Sequence, residues 1–180
     1  NMRVFIPKVC VHIGKRCLPV LLLAFLLGVQ ALGQPYAWPS WQVQTALGNS
    51  FSSRQLDGKV VLVSVWGSWC PSCRRQMPIL NALQSKYDTQ PFQVLTFSLD
   101  RSDAVHRQFV KDQNIEVPSI YARDGDGLKV VKMLQHGAGT LEAVPTVLIY
   151  DKRGQLAHRL VGFFNHKQLS ELLEPLLEER

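Results

Sequence analysis

Residues 60–73 read VVLVSVWGSWCPSC and hold the strongest structural signal in the chain. A run rich in β-branched residues stops at two tryptophans, and a Cys-x-x-Cys pair follows at once, with Pro71 where a helix would begin. This order predicts a strand, a sharp turn and a helix. It places Cys70 at a helix N-terminus, where unpaired backbone N–H groups and the helix dipole favour a thiolate. Cys70 is therefore the expected reactive cysteine.

The segments on either side alternate between strand and helix patterns. Upstream, residues 42–47 and 50–52 predict a β-hairpin around a Gly-Asn turn. Downstream, a helix containing Pro78 is followed by a strand at 92–99 and a helix at 102–114, with Val105 and Phe109 facing inward. This alternation predicts a sheet with a parallel core.

The last third of the chain predicts an edge strand, a short helix, a hairpin and a final helix. The predicted elements are a strand at 115–121, a turn at 124–127, a helix at 128–135, a loop at 136–139, strands at 147–150 and 155–161, and a helix capped by Asn165. The Gly-x-Gly of the 136–139 loop favours a plain turn over a phosphate cradle, because so short a motif is weakly specific.

Residues 1–33 have the three parts of an export signal. A basic segment precedes an apolar run at 18–31, and the small residues Ala31 and Gly33 follow. This pattern predicts a leader at 1–33, either cleaved after Gly33 or kept as a membrane anchor, and one domain at 34–180. Cleavage is favoured because the run is shorter than the ~20 apolar residues that span a bilayer.

The positive charge of the chain is concentrated in the predicted leader. The formal net charge is +6, but four basic residues and no acidic residue precede the apolar run. The rest of the chain holds 16 basic and 14 acidic residues, a net charge of +2. No basic stripe with interleaved aromatic residues is left, so nucleic acid is not an expected partner.

The cysteine count also points to residues 70–73. Two of the four cysteines, Cys10 and Cys17, lie in the predicted leader, which leaves Cys70 and Cys73 in the domain. A crosslink between residues three apart closes too small a loop to add much stability. In an oxidising compartment the pair is therefore expected to work in redox chemistry.

The WGSWCPSC stretch, Pro78 and Val144-Pro145-Thr146 together resemble the thioredoxin superfamily. The leader, the hairpin and the extra strand and helix near 115–135 resemble its exported TlpA/ResA-type branch. The resemblance implies an α/β, thioredoxin-like fold: a central mixed sheet flanked by helices, with an N-terminal β-hairpin and a small strand-helix insertion. It also implies that Pro145 is cis and packed beside the disulfide, with the Val144 backbone offered to an extended substrate segment.

The resemblance implies a thiol–disulfide oxidoreductase. Cys70 would attack a substrate disulfide, and Cys73 would resolve the mixed disulfide. The cysteine pair is itself the redox group, so neither a cofactor nor a bound metal is expected. The expected substrate-binding residues are Trp69, Pro71, Ser72, Val144 and Pro145, whereas Trp66 is expected in the core.

By analogy with the TlpA/ResA-type branch, the enzyme is expected to reduce disulfides in exported proteins, among them apocytochrome c. Its expected place is the periplasm or the extracytoplasmic side of the bacterial inner membrane, and its expected electron donor is a membrane carrier of the DsbD/CcdA type. The alternatives are a thiol oxidase and a Cu(I)-binding carrier module, to which His136, His158 and His166 could add ligands. Peroxidase chemistry is disfavoured because no Thr-x-x-Cys occupies the expected turn.

Three positions depart from the family pattern. Ser64 and Thr96 stand where thioredoxins usually carry a buried Asp and a Lys, and Gln76 stands where the TlpA/ResA-type branch often carries a Glu. A glutamine cannot take a proton near neutral pH, so Cys73 has no evident general base. The neighbouring Arg74 and Arg75 either lower the pKa of Cys70 or form a solvated helix face.

Overall fold

The computed structural model describes residues 38–179, so the predicted leader at 1–33 lies outside the described residues. The strands are β1 (Gln42–Gln44), β2 (Ser50–Ser52), β3 (Val60–Trp66), β4 (Phe92–Ser98), β5 (Ser119–Tyr121), β6 (Thr146–Tyr150) and β7 (Leu156–Val161). The helices are α1 (Pro71–Lys86), α2 (Asp103–Asp112), α3 (Gly125–Ala138) and α4 (His166–Glu178), and a 3₁₀ turn covers Ser53–Leu56. Strands β1 and β2 form one small sheet, and the other five form a sheet in the order β5-β4-β3-β6-β7.

Strand β3 is the centre of the five-stranded sheet because all seven of its residues are buried. It pairs parallel with β4 and antiparallel with β6. Strand β5 also runs parallel to β4, which confirms the predicted parallel core. The antiparallel β6–β7 hairpin completes a mixed sheet.

Alternate residues of β3 build separate core layers on the two faces of the sheet. Leu62 and Trp66 share a hydrophobic cluster with residues of α1 and α4. Val61, Val63 and Val65 share the other cluster with residues of α3 and the β1–β2 hairpin. Helix α1, which carries the cysteine pair, is therefore supported from below by a fully buried strand.

The predicted N-terminal hairpin and the inserted strand are both confirmed. Strands β1 and β2 pair antiparallel, with Gln42 opposite Ser52. Strand β5 is shorter than predicted and occupies one edge of the sheet directly after Pro118. A proline has no backbone N–H to give to a neighbouring strand, which is consistent with a strand that starts only after it.

Helix α3 is longer at both ends than the sequence predicts, so the turn expected at 124–127 and the loop expected at 136–139 are wrong. Asp124 is the N-cap, and the helix runs from the next residue to Ala138. Gly127 lies so close to the β5 backbone that a Cβ atom would clash there. Gly127 therefore allows α3 to pack closely against β5. The helix ends at Gly139, which has a positive φ.

Helix α2 is rotated relative to the prediction. Val105, expected to face inward, is 47% exposed, whereas His106 is fully buried. The His106 ring nitrogen Nε2 lies 2.8 Å from Ser119 Oγ on β5. This contact with a neighbouring strand fixes the orientation of the helix, and hydrophobic spacing within α2 cannot reveal it.

Helix α4 begins at its predicted N-cap. The Asn165 side chain accepts a hydrogen bond from the Gln168 N–H at 3.0 Å, and the Gln168 side chain accepts one from the Asn165 N–H at 2.9 Å. Leu169 and Leu173 are fully buried and belong to the same hydrophobic cluster as residues of α1. Between residues 38 and 179, no helix is long and apolar enough to cross a bilayer.

Candidate active site

The cysteine pair lies where β3 ends and α1 begins, as the sequence predicts. Cys70 is the N-cap of α1 and has an extended backbone, and Pro71 is the first helical residue. A disulfide joins Cys70 to Cys73, with their Cα atoms 5.2 Å apart. The strand, loop and helix therefore bring both expected redox residues to one end of the sheet.

The two sulfurs have different surroundings. Cys73 N–H donates to Cys70 Sγ at 3.3 Å, and the Ser72 hydroxyl lies 3.2 Å from the same sulfur. Cys70 is 5% exposed, whereas Cys73 is completely buried. Hydrogen-bond donors and a helix N-terminus both favour a thiolate at Cys70, which suits it to attack first.

A loop before β6 lies against the disulfide. The Val144–Pro145 peptide bond is cis, as the family resemblance implied. The Val144 carbonyl oxygen lies 3.8 Å from Cys70 Sγ. Thr146 Oγ1 donates to the Ala143 carbonyl at 2.6 Å, and Gly162 N–H donates to the Pro145 carbonyl at 2.8 Å. The structure thus brings Val144 and Pro145 together with the cysteines, while their part in substrate binding stays a prediction.

The two tryptophans before the cysteines have opposite environments. Trp66 is fully buried, in agreement with its expected place in the core, whereas Trp69 is 59% exposed. The Trp69 indole packs across Gly67, where an added Cβ would lie 2.6 Å from the indole nitrogen. Gly67 therefore lets the Trp69 ring fold back onto the loop and remain at the surface, one residue before Cys70.

A buried carboxylate that the sequence analysis missed holds this loop. Asp100 is fully buried and accepts hydrogen bonds from the Ser68 N–H at 2.8 Å and the Ser68 hydroxyl at 2.7 Å. Its second oxygen accepts from the Ser98 hydroxyl at 2.8 Å. We call these three residues the Asp100 cluster. Because β3 and β4 are parallel, their carboxyl ends meet, and an Asp just after β4 is the signal that could have placed it here.

The three positions that depart from the family pattern, Ser64, Thr96 and Gln76, are all completely buried. Ser64 lies opposite Thr96 in the parallel pairing of β3 with β4, between Leu62 and Trp66 on the face that α1 covers. Ser64 and Gln76 are completely buried, and their polar side-chain atoms have no hydrogen-bond partner within residues 38–179. We call these two residues the Gln76 pair. Gln76 lies one helical turn after Cys73 and is buried like it, so both belong to the inner side of α1.

His106 is a second buried titratable group near this end of the sheet. Its ring centroid lies 6.0 Å from that of Trp66, and its Nδ1 lies 3.6 Å from a carboxylate oxygen of Asp103. Burial lowers the pKa of His106, although the charges of Asp103 and Asp100 partly oppose this effect. The imidazole is therefore neutral at physiological pH.

The histidines considered as metal ligands are dispersed over the fold. His136 lies in α3, His158 in β7, and His166 is the first residue of α4. Within the described part of the chain, no group of three or more His, Cys, Asp or Glu side chains is arranged to hold a metal ion.

Comparisons with known proteins agree with this geometry. The sequence profile described as the AhpC/TSA family matches residues 36–159. The thiol-disulfide oxidoreductase ResA of Bacillus cereus is 25% identical over 138 residues, which cover 77% of this chain and 75% of that protein. The thioredoxin-like protein YneN of Bacillus subtilis is 26% identical over 138 residues, with 76% of each chain covered.

Solved structures of similar proteins establish the fold. A thioredoxin-family thiol:disulfide interchange protein from Chlorobium tepidum superposes with a TM-score of 0.70 at 23% identity, covering 81% of this chain and 98% of that chain. A secreted thiol-disulfide isomerase from Corynebacterium glutamicum superposes with a TM-score of 0.66 at 23% identity, covering 78% of this chain and 85% of the other. The expected thioredoxin-like α/β architecture is confirmed.

Proposed function

The chain belongs to the AhpC/TSA family, and from this premise we propose that it reduces disulfides in exported proteins with the Cys70–Cys73 pair. It is a thiol–disulfide oxidoreductase of the thioredoxin fold, similar to proteins named ResA. Beyond this class of enzyme, we propose the direction of electron flow, the kind of substrate and the roles of the two cysteines.

The observation that carries the proposal is the difference between the two sulfurs. Cys70 lies at the helix N-terminus, close to two hydrogen-bond donors, and is 5% exposed. Cys73 lies one turn further along α1 and is sealed from solvent. This arrangement suits a two-step exchange in which the outer sulfur meets the substrate and the inner sulfur releases it.

In the first step, the Cys70 thiolate attacks one sulfur of a substrate disulfide. The substrate S–S bond breaks, its other sulfur leaves as a thiolate, and a mixed disulfide forms. Cys73 then loses its proton and attacks Cys70 Sγ. This forms the Cys70–Cys73 disulfide and releases the second substrate thiolate, so that two electrons pass from the protein to the substrate. The cysteine pair is the redox group in this proposal, and no further cofactor takes part.

The oxidised pair must then be reduced by a second dithiol. A membrane carrier of the DsbD/CcdA type would supply these two electrons and become a disulfide in turn. The Corynebacterium relative is described as secreted, which supports an extracytoplasmic place for this chain, in the periplasm or on the outer side of the bacterial inner membrane. Oxidised apocytochrome c is the substrate class that the resemblance to the TlpA/ResA-type branch suggests.

The reduction potential of the pair tests the direction of electron flow. The purified protein is equilibrated with glutathione buffers of known potential, and the reduced fraction is read from the mass added by alkylation. A reductase is expected near the thioredoxin value of about −270 mV, whereas a value near about −120 mV would identify a thiol oxidase. The matched activity assay follows reduction of a disulfide-bonded peptide, with Cys70→Ser as the inactive control. A potential near −120 mV, or failure of the reduced protein to cleave any disulfide, would overturn the proposal.

A further inference from the structure

Two arginines follow the cysteine pair on the exposed side of α1, and each lies over an aromatic ring. The Arg74 guanidinium carbon is 5.9 Å from the centroid of the Phe109 ring. The Arg75 guanidinium carbon is 5.1 Å from the centroid of the Phe163 ring. A cation–π contact of this kind orients a guanidinium without neutralising its charge.

The charges of Arg74 and Arg75 are not matched by carboxylates. Neither arginine forms an ion pair within residues 38–179, in contrast to Arg107, which binds Asp103 at 2.6 Å. Together with Pro71 and Gln113, the two arginines line a surface hollow of about 540 Å³. The hollow therefore presents two oriented cations and no anion.

We propose that Arg74 and Arg75 bind an acidic segment of the protein whose disulfide Cys70 attacks. This inference rests on the proposed function and names the substrate class. A planar guanidinium recognises a carboxylate through paired hydrogen bonds, so two of them beside the disulfide select partners with Asp or Glu near the target cysteine. Pro71 lines the hollow and directly follows Cys70, so a segment bound in the hollow lies next to the reacting sulfur.

An anionic membrane is the other source of negative charge, and the geometry favours a protein segment. Attraction to lipid headgroups usually requires clusters of four to eight basic residues on one surface. The hollow holds two, which is enough for a short acidic protein segment but below the number that attraction to a bilayer usually needs. Its place at the first turn of α1 also makes its occupant a neighbour of the disulfide.

The test uses two cyclic peptides that each contain one disulfide and differ only in having Glu or Lys on both sides of one cysteine. The second-order rate constant for reduction by the full-length reduced protein is measured at low and high ionic strength. We expect the Glu peptide to react ~10-fold faster at low salt, with the preference falling as salt screens the charges. The Arg74→Gln/Arg75→Gln double variant is expected to reduce the preference to less than about twofold.

Lys132→Gln is the matched control, because it removes one exposed charge from α3, on the opposite face of the sheet. It should keep the preference for the Glu peptide. Equal rates for both peptides with the wild-type protein, or a preference that survives in the double variant, would overturn the inference. Reduction of neither peptide would instead overturn the proposed function.

Two further measurements separate docking from other effects of the arginines. One is the pH dependence of Cys70 alkylation by neutral iodoacetamide, and the other is the rate with neutral hydroxyethyl disulfide. If the double variant slows both peptides and the neutral disulfide equally, and the alkylation profile moves to higher pH, the arginines act on the Cys70 thiolate and the docking role is wrong. Arginine-dependent co-sedimentation with phosphatidylglycerol vesicles, without a peptide preference, would also overturn it.

Discussion

Two polar regions border the disulfide, and they differ in whether their groups are paired. In the Asp100 cluster, one buried carboxylate accepts three hydrogen bonds and holds the loop before Cys70. In the Gln76 pair, two buried neutral side chains lie under α1 without partners within residues 38–179. The Asp100 carboxylate thus positions the loop before Cys70. The Gln76 pair contains no carboxylate, so neither of its side chains can accept a proton near neutral pH.

The largest expected effect comes from removing either sulfur. Cys70→Ser should lower the rate of disulfide exchange by about 10³-fold or more, because the thiol that remains in the site, Cys73, is completely buried. Cys73→Ser should instead accumulate a stable mixed disulfide with the substrate, since the resolving thiol is gone. Both are read by mass spectrometry of alkylated reaction mixtures.

Cys10 and Cys17, which lie in the predicted leader, provide the control for this pair of variants. Cys10→Ser/Cys17→Ser in the full chain should exchange disulfides at the wild-type rate, because neither residue belongs to the Cys70–Cys73 pair. Turnover that survives in Cys70→Ser would refute the assigned roles of the two sulfurs.

Breaking the Asp100 cluster is expected to have the next largest effect. Asp100→Ala leaves the Ser68 N–H and two hydroxyl groups without their acceptor, which should lower the free energy of unfolding by about 3 kcal/mol. Asp88→Ala, an exposed change in the loop after α1, should stay within about 0.5 kcal/mol of the wild type. Urea unfolding measures both variants, and a loss in Asp100→Ala no larger than in Asp88→Ala would show that the cluster does not stabilise the loop.

The third expected effect comes from Gln76→Glu, which places a carboxyl group on the inner side of α1, one turn after Cys73. In Gln76→Glu, burial raises the pKa of the new carboxyl, so that its basic form appears only as the pH rises. At pH values above the pKa of this carboxyl group, release of substrate from the mixed disulfide should be about tenfold faster than in the wild type, because the carboxylate can act as a general base for Cys73. Stopped-flow measurement between pH 5 and 9 reads this step, with Gln76→Met as the uncharged control. If the release rate depends on pH in the same way in Gln76→Glu, in Gln76→Met and in the wild type, the side chain at position 76 does not face Cys73.

The parts of this structure that were predictable are those with strong local signals. The buried β3 strand, the Cys70–Pro71 helix start and the Asn165 cap are each determined by a few neighbouring residues. The full length of α3 was not predictable, because its glycines resemble turn residues and their packing against β5 appears only in the folded chain. The Asp100 cluster also depends on which strands become neighbours, and sequence spacing does not reveal this.

The smallest expected effect concerns His106, a buried residue that feels the charge of Asp100. Burial lowers its pKa, the carboxylates of Asp103 and Asp100 oppose this, and Arg107 adds to it. Below the ordinary histidine pKa of about 6.5, the unfolded chain gains a proton that the folded protein does not accept. His106 should therefore contribute its full stability above that pH, and the contribution should fall as the pH drops towards the folded-state pKa.

We accordingly expect the free energy of unfolding to decline between pH 7 and 5, and to decline less in His106→Gln. Glutamine can keep the hydrogen bond to Ser119 but does not titrate. His136→Gln, at an exposed position in α3, is the matched control and should follow the wild-type slope. Urea unfolding at several pH values measures these slopes. If His106→Gln and the wild type lost stability in parallel, the buried imidazole would not be the group whose protonation opposes folding.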